Sequence, residues 1–245
     1  LFDPVDIAIS GGQTLGKIDV DLGAITKASA CKLVVGIKGE ALSGPCENHW
    51  DVWVYPAELK ALKTTVTVVS SVDEATKLTD TGATVILSLP KAVVRNYEDK
   101  PVKFGFSTIF WNTSWTNRQA PTTLGICCDP KHPALGDFPT ETHTNWQWWY
   151  LAHRAAPLRM DLMPKGSEAI VRVVDDWFTA RSLALITEFK CGKGKLIVCG
   201  FDLTNIDASD PVSQQMLASL VQYASSSTFL PKSTIDATTL RALTI

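Results

Sequence analysis

The sequence predicts an α/β protein in which an open sheet flanked by helices follows a partial antiparallel β-sandwich. Three observations predict it. Residues 5–56 are short alternating apolar runs separated by turn signals, a strand grammar. From residue 64 onward strand patterns alternate with helical ones, the grammar of an open α/β sheet. The chain of 245 residues is 45% hydrophobic and 20% charged, which is enough apolar material for one large domain or two modest ones and argues against disorder.

In chain order, "VDIAIS", "LGKIDVDL", "CKLVVGIKG" and "WDVWVYP" read as strands, with turn signals at "GG" and "SGPCENH". These roughly four strands are too few to close a stable sandwich. The chain also starts without an initiating methionine or the basic and apolar segments of a signal peptide, so a piece of a longer protein is expected. Beyond "PAELKALKT", "TVTVVSS" is a strand and "SVDEATKLTDTG" a helix. Ser71 and Glu74 there form a capping-box pattern, and Gly82 sits at the C-terminal cap. "ATVILSLP" completes a β-α-β unit, which implies a parallel pair. "KFGFSTIF", "TLGICC" and "EAIVRVVDDW" are buried-strand candidates. "SLALITEF" and "KGKLIVCGFDL" form a hairpin at a Gly-rich turn, "PVSQQMLASLVQYASS" is an amphipathic helix, and the apolar tail "STIDATTLRALTI" docks on the body.

Charge and spacing exclude several classes. The net charge is −2 with scattered basic residues, so no face advertises nucleic acid or an anionic membrane. No apolar run approaches the roughly 20 residues that span a bilayer, and no membrane insertion is expected. Six cysteines are too few for a disulfide scaffold, and free, mostly buried thiols are expected. If the hairpin turn centres on Lys193 and Gly194, Cys199 lies opposite Glu188 rather than Cys191. Cys127, Cys128, His132 and His143 have no recognised zinc spacing, so neither a metal nor another cofactor is expected. "CGKGK" joins two strands instead of leading into a helix, which makes it a turn and not a phosphate loop.

Several stretches resemble a known family: "NHWDVWVYP", "IFWNTSWT", "DPKHPALGDFPTETHTNWQWW" and "DDWFTARSLALI" are similar to the C-terminal region of bacterial glycoside hydrolase family 2 proteins of the β-galactosidase and β-glucuronidase type. The resemblance covers nearly the whole chain. It implies that residues 1–58 are the closing strands of a β-sandwich domain and that residues 59–245 form a flavodoxin-like domain similar to class I glutamine amidotransferases. It also implies a role in carbohydrate degradation, an upstream catalytic barrel of the same polypeptide as partner, and a periplasmic or cell-surface location. The barrel has no room here, because eight β-α units take about 250 residues.

No catalytic constellation is read from the residues. A retaining glycosidase needs two carboxylates about 5–5.5 Å apart. Asp175 and Asp176 are adjacent and would point to opposite faces of a strand, which favours a loop or cap role. An amidotransferase triad needs a cysteine on a strand-to-helix elbow and a later His-x-Glu pair. The aligned segment offers Trp111, Asn112 and Ser114 instead, and His153 is the last histidine. Cys127 and Cys128 read as buried strand-end thiols, so the accessory role is non-catalytic, with cysteine hydrolase chemistry as the weaker alternative.

The aromatic run "THTNWQWWYLAH" leaves two main readings open, with an interface to another domain or subunit as a third. Trp111, Trp115, Trp146, Trp148 and Trp149 gather at one sheet edge, where tryptophan faces stack on sugar rings and Asn112, Glu141, His143 and Asn145 bond hydroxyls. The residues expected to touch carbohydrate are Trp111, Asn112, Trp115, Glu141, His143, Asn145 and Trp148, which makes a carbohydrate-binding module the alternative function. In the other reading Trp146, Trp149, Tyr150 and His153 form one buried helical stripe while Trp148 points elsewhere. Trp50 and Trp53, three apart on a strand, fall on opposite faces.

Overall fold

A computed structural model describes residues 11–37, 44, 46–57, 64–106 and 120–245. Among them the fold is mixed α/β: a two-stranded antiparallel ribbon, a seven-stranded mixed sheet and four α-helices. The ribbon pairs β1 (Ser29–Ile37) with β2 (Cys46–Val54), in register from Ser29↔Val54 to Ile37↔Cys46. Alternation sorts its faces. Cys31, Leu33, Trp50 and Val52 share one face, whereas Lys32, Asp51 and Trp53 share the other.

"LGKIDVDL" is not a strand. Ile18, Val20 and Leu22 alternate, but they and Leu15 are exposed in irregular backbone, because alternation makes a strand only where a neighbour supplies the ladder. "VDIAIS" lies outside the described residues, as do residues 58–63, where the two expected domains meet.

The second sheet is built from β3 (Thr67–Val69), β4 (Thr84–Ser88), β5 (Gly125–Cys128), β6 (Leu158–Arg159), β7 (Ala169–Val174), β8 (Ser182–Cys191) and β9 (Gly194–Cys199). The order is β3-β4-β9-β8-β7-β5, with β6 beside β8. β3, β4 and β9 run parallel, and every other pairing is antiparallel. Lys103–Phe106 of the expected strand "KFGFSTIF" is irregular, since Gly105 pairs with the Thr123 hydroxyl (2.9 Å) in place of a ladder, and the rest of that stretch is outside the described residues.

Between β3 and β4 lies α1 (Val72–Asp80). The Ser71 hydroxyl accepts from the Glu74 amide at 3.5 Å, and Asp73 and Glu74 meet the positive end of the helix dipole. Its C-terminus closes as a Schellman motif: the Ala83 amide donates to the Leu78 carbonyl (3.2 Å) and the Gly82 amide to that of Thr79 (3.0 Å), with Gly82 at φ 95°. The other helices are α2 (Trp146–Ala152), α3 (Pro211–Ala224) and α4 (Ala237–Ala242).

Helices cover both faces of the sheet, and alternate strand residues feed two cores. Ile86, Ile197 and Cys199 pack with Trp148 and Leu151 of α2 and Met216 and Leu220 of α3. Val85, Leu87, Leu196 and Val198 pack with Ala75 of α1 and Leu240 of α4. The tail docks as expected, with Ile235, Leu240 and Leu243 buried.

The β8-β9 hairpin turns at Gly192 and Lys193, one residue earlier than expected. Cys199 therefore faces Ile186, not Glu188. The reason is steric: Gly192 takes φ 55°, and Gly194 packs so tightly on the end of α1 and the turn after it that a Cβ there would lie 2.1 Å from the Ala83 carbonyl. All six cysteines are free; Cys128, Cys191 and Cys199 are buried, while Cys46 and Cys127 are exposed.

Candidate functional site

The aromatic segment is placed by the edge of the sheet. After β5 the chain loops out and returns antiparallel to it: the Cys128 amide donates to the Thr142 carbonyl (3.1 Å), Cys127 bridges His143, and the Ile126 amide donates to the Thr144 hydroxyl (2.8 Å). This returning limb carries Glu141, His143 and Asn145, alternate residues that line a single cleft. Asn145 then caps α2, its Oδ1 accepting from the amides of Gln147 (3.2 Å) and Trp148 (3.4 Å). Its Nδ2 donates to Glu141 Oε2, which ties the two polar residues together.

The helix buries the face opposite to the expected stripe. Gln147, Trp148, Leu151 and Ala152 are inside, while Trp146, Trp149 and Tyr150 are 73%, 44% and 58% exposed. Trp148 is fully buried. Its indole nitrogen donates to the Thr140 hydroxyl (2.8 Å) and its ring meets Phe138 edge-on at 5.3 Å, so it offers no face to a ligand. The physical cause is Gln147, a polar residue that is buried because both ends of its amide are satisfied. Gln147 Nε2 donates to the Pro139 carbonyl and the Tyr55 hydroxyl donates to Gln147 Oε1, each at 2.6 Å. Burial pushes the Tyr55 phenol well above its ordinary pKa, so it stays a neutral donor.

Trp149 leans on Phe106, with ring centroids 5.7 Å apart, and meets His153 edge-on at 4.1 Å. Opposite stands the polar face of the ribbon, where Trp53 and the cross-strand pair Lys32 and Asp51 (3.3 Å) line the same cleft. The open space between is about 800 Å³, within the usual range for a small-molecule site of roughly 300–1,000 Å³. Its walls combine exposed indoles with carboxylate, imidazole and ammonium groups. That arrangement can stack a flat apolar face and bond hydroxyls around it.

Of the residues expected at a sugar site, Glu141, His143 and Asn145 come together in this cleft, whereas Trp148 does not reach it. Trp111, Asn112 and Trp115 lie outside the described residues. Trp146 and Trp149 take the place that Trp148 was expected to fill. Lys32 and Asp51 carried no signal of their own in the sequence, because their role depends on a ribbon folded against a helix more than 90 residues away.

The other candidates resolve into structure. Asp175 Oδ2 accepts from the amide (2.8 Å) and Nε (2.7 Å) of Arg181. Asp176 Oδ1 accepts from the amides of Phe178 and Thr179 (3.0 Å each), so the pair anchors and caps a loop. Burial by itself would raise the Asp175 carboxyl, but the hydrogen bonds and charge of Arg181 hold it below the ordinary value.

Cys127 and Cys128 sit within β5, not on an elbow, and Cys127 is exposed where burial was expected. Burial, followed by the neighbouring Cys127, pushes the Cys128 thiol up to about 11, which leaves it a protonated, poor nucleophile at neutral pH. The His132 ring meets Tyr223 edge-on at 5.5 Å. Among the described residues no group of three or more His, Cys, Asp or Glu side chains is placed to hold a metal ion.

Comparison with known proteins divides the chain at the same place as its architecture. A family model described as a domain of unknown function, DUF8487, matches residues 67–245. A second model described in the same terms, DUF8488, matches residues 1–56. No curated protein matches the chain.

Proposed function

The chain belongs to the DUF8487 family; from the sequence resemblance and the cleft, not from that family, we propose that it is a non-catalytic accessory region of a glycoside hydrolase family 2-like protein that contacts saccharide through the cleft between ribbon and sheet. In this reading the sheet domain is a flavodoxin-like, class I glutamine amidotransferase-like fold without its nucleophile. The ribbon is the closing hairpin of a β-sandwich domain. The partner is an upstream catalytic barrel of the same polypeptide, in a periplasmic or cell-surface setting. These assignments rest on the sequence resemblance; the helices on both faces of the sheet suit the fold named, while the antiparallel pairings from β9 to β5 depart from a parallel flavodoxin-like sheet.

The observation that carries the saccharide contact is the exposure of Trp146 and Trp149 beside Glu141, His143 and Asn145 in one cleft of about 800 Å³. An exposed indole is unfavourable in water unless something covers it, and sugar rings present apolar faces ringed by hydroxyls. The test is a panel of neutral and acidic oligosaccharides followed by tryptophan fluorescence and calorimetry. Saturable binding is expected, weakened about tenfold by Trp146→Ala or Trp149→Ala, since an aromatic contact contributes about 0.5–1.5 kcal/mol beyond its buried area. An unresponsive panel with the fold intact would remove saccharide contact and leave an architectural role alone.

A further inference from the structure

We infer that the cleft takes neutral saccharides and rejects uronic acids, with Asp51 and Glu141 setting the choice; the inference rests on the saccharide reading above. Among the described residues that line the cleft, Lys32 is the one lysine or arginine. It is already engaged, since Lys32 Nζ lies 3.3 Å from Asp51 Oδ1, its direct partner across the ribbon. On the facing wall Glu141 adds a second carboxylate, and the amide of Asn145 that donates to it is committed there. Among its described residues, with histidine counted as neutral, the cleft therefore presents one carboxylate more than it has cations.

A sugar carboxylate entering this space meets two groups of its own sign. Lys32 keeps N–H donors free for it, but the charge of that ammonium is already offset by Asp51 at 3.3 Å, and both protein carboxylates stay in the same cleft. Neutral hydroxyls meet no such opposition. They donate to carboxylate oxygens, and hydrogen bonds to a charged acceptor are the stronger kind. Discrimination of this sort comes from a repulsive element built against the wrong ligand, and Asp51 and Glu141 supply it.

The experiment compares a neutral cello-oligosaccharide with the same oligosaccharide oxidised at C6 to the uronate, and a galactan fragment with a galacturonan fragment. Affinities are read by calorimetry on the full chain, at low and at raised salt. The neutral member of each pair is expected to bind at least about tenfold more tightly, a gap that narrows as salt screens the repulsion. Asp51→Asn removes one carboxylate and frees Lys32, so the uronate-to-neutral affinity ratio should rise about tenfold. Glu141→Gln should raise the same ratio.

Uronates binding the unaltered protein as well as neutral sugars would overturn the inference while leaving the saccharide reading in place. A ratio unmoved by both substitutions would equally overturn it, because the preference would then come from other groups. No binding by any member of either pair would overturn the inference together with the reading on which it rests.

Discussion

Arg181 holds the loop between β7 and β8. Its side chain is mostly buried and reaches Asp175 at 2.7 Å and Asp176 at 3.3 Å, while Ala180 beside it takes φ 52°, a conformation that needs surrounding structure to hold it. Removing one partner of a buried ion pair strands the other, so Arg181→Met should destabilise the fold by about 3–5 kcal/mol, as read by urea unfolding. The pH dependence has a definite sign. The folded Asp175 carboxyl is depressed, so its stabilisation is present above the unfolded value of about 3.9 and is lost as pH falls through the lower folded value. In Arg181→Met that acid-side loss should shrink or reverse, because an unpaired buried carboxyl prefers its proton. The same scale explains what could be read of the aromatic segment. That tryptophans gather beside Glu141, His143 and Asn145 was legible from the sequence; that Trp148 is the buried one was not.

At the scale of elements, local signals were reliable where the bonds are local. Ser71 and Gly82 bound α1, and Asp210 caps α3, its Oδ1 accepting from the Ser213 amide at 3.0 Å just before Pro211. The β8-β9 turn slipped by one residue from its expected position because its register is decided by α1, not by the hairpin. Gly194 sits where the helix C-terminus crosses, with the carbonyls of Ala83 and Thr79 at 2.1 and 3.0 Å from the position of an added Cβ. Those are backbone atoms that cannot swing aside. Gly194→Ala should therefore lower stability by about 1–3 kcal/mol, seen as a fall in the thermal midpoint, even though alanine is well tolerated in most strands.

At the scale of the whole molecule, the ribbon is held to the sheet domain in part by the bond from Tyr55 to Gln147, which spans 92 residues. A lone two-stranded ribbon is marginal in water, so such contacts decide whether one wall of the cleft exists. Tyr55→Phe deletes the donor and leaves Gln147 Oε1 buried, at a cost of about 1–3 kcal/mol. Hydrogen exchange should then quicken in β1 and β2 before it does in β8 and β9. Uniform protection in the variant would mean that other contacts carry the junction.

By itself the sequence determined the parts: the strand periods, the capped α1, the Gly-rich hairpin, the terminal helix and the tight grouping of Glu141, His143 and Asn145. Each is written within a few residues, because backbone hydrogen bonds, caps and side-chain alternation act over that range. Only the tertiary structure decided the mixed direction of the sheet, the absence of pairing at "LGKIDVDL", the buried face of α2 and the joining of Lys32 and Asp51 to the cleft. The hydrophobic period of α2 fits either face, since Trp146 and Trp149 are spaced as well for burial as Trp148 and Leu151 are. What broke the tie was a partner for a polar side chain: Gln147 is inside because Tyr55, just beyond the end of β2, satisfies it, and a choice made by groups 92 residues apart is not written in either neighbourhood.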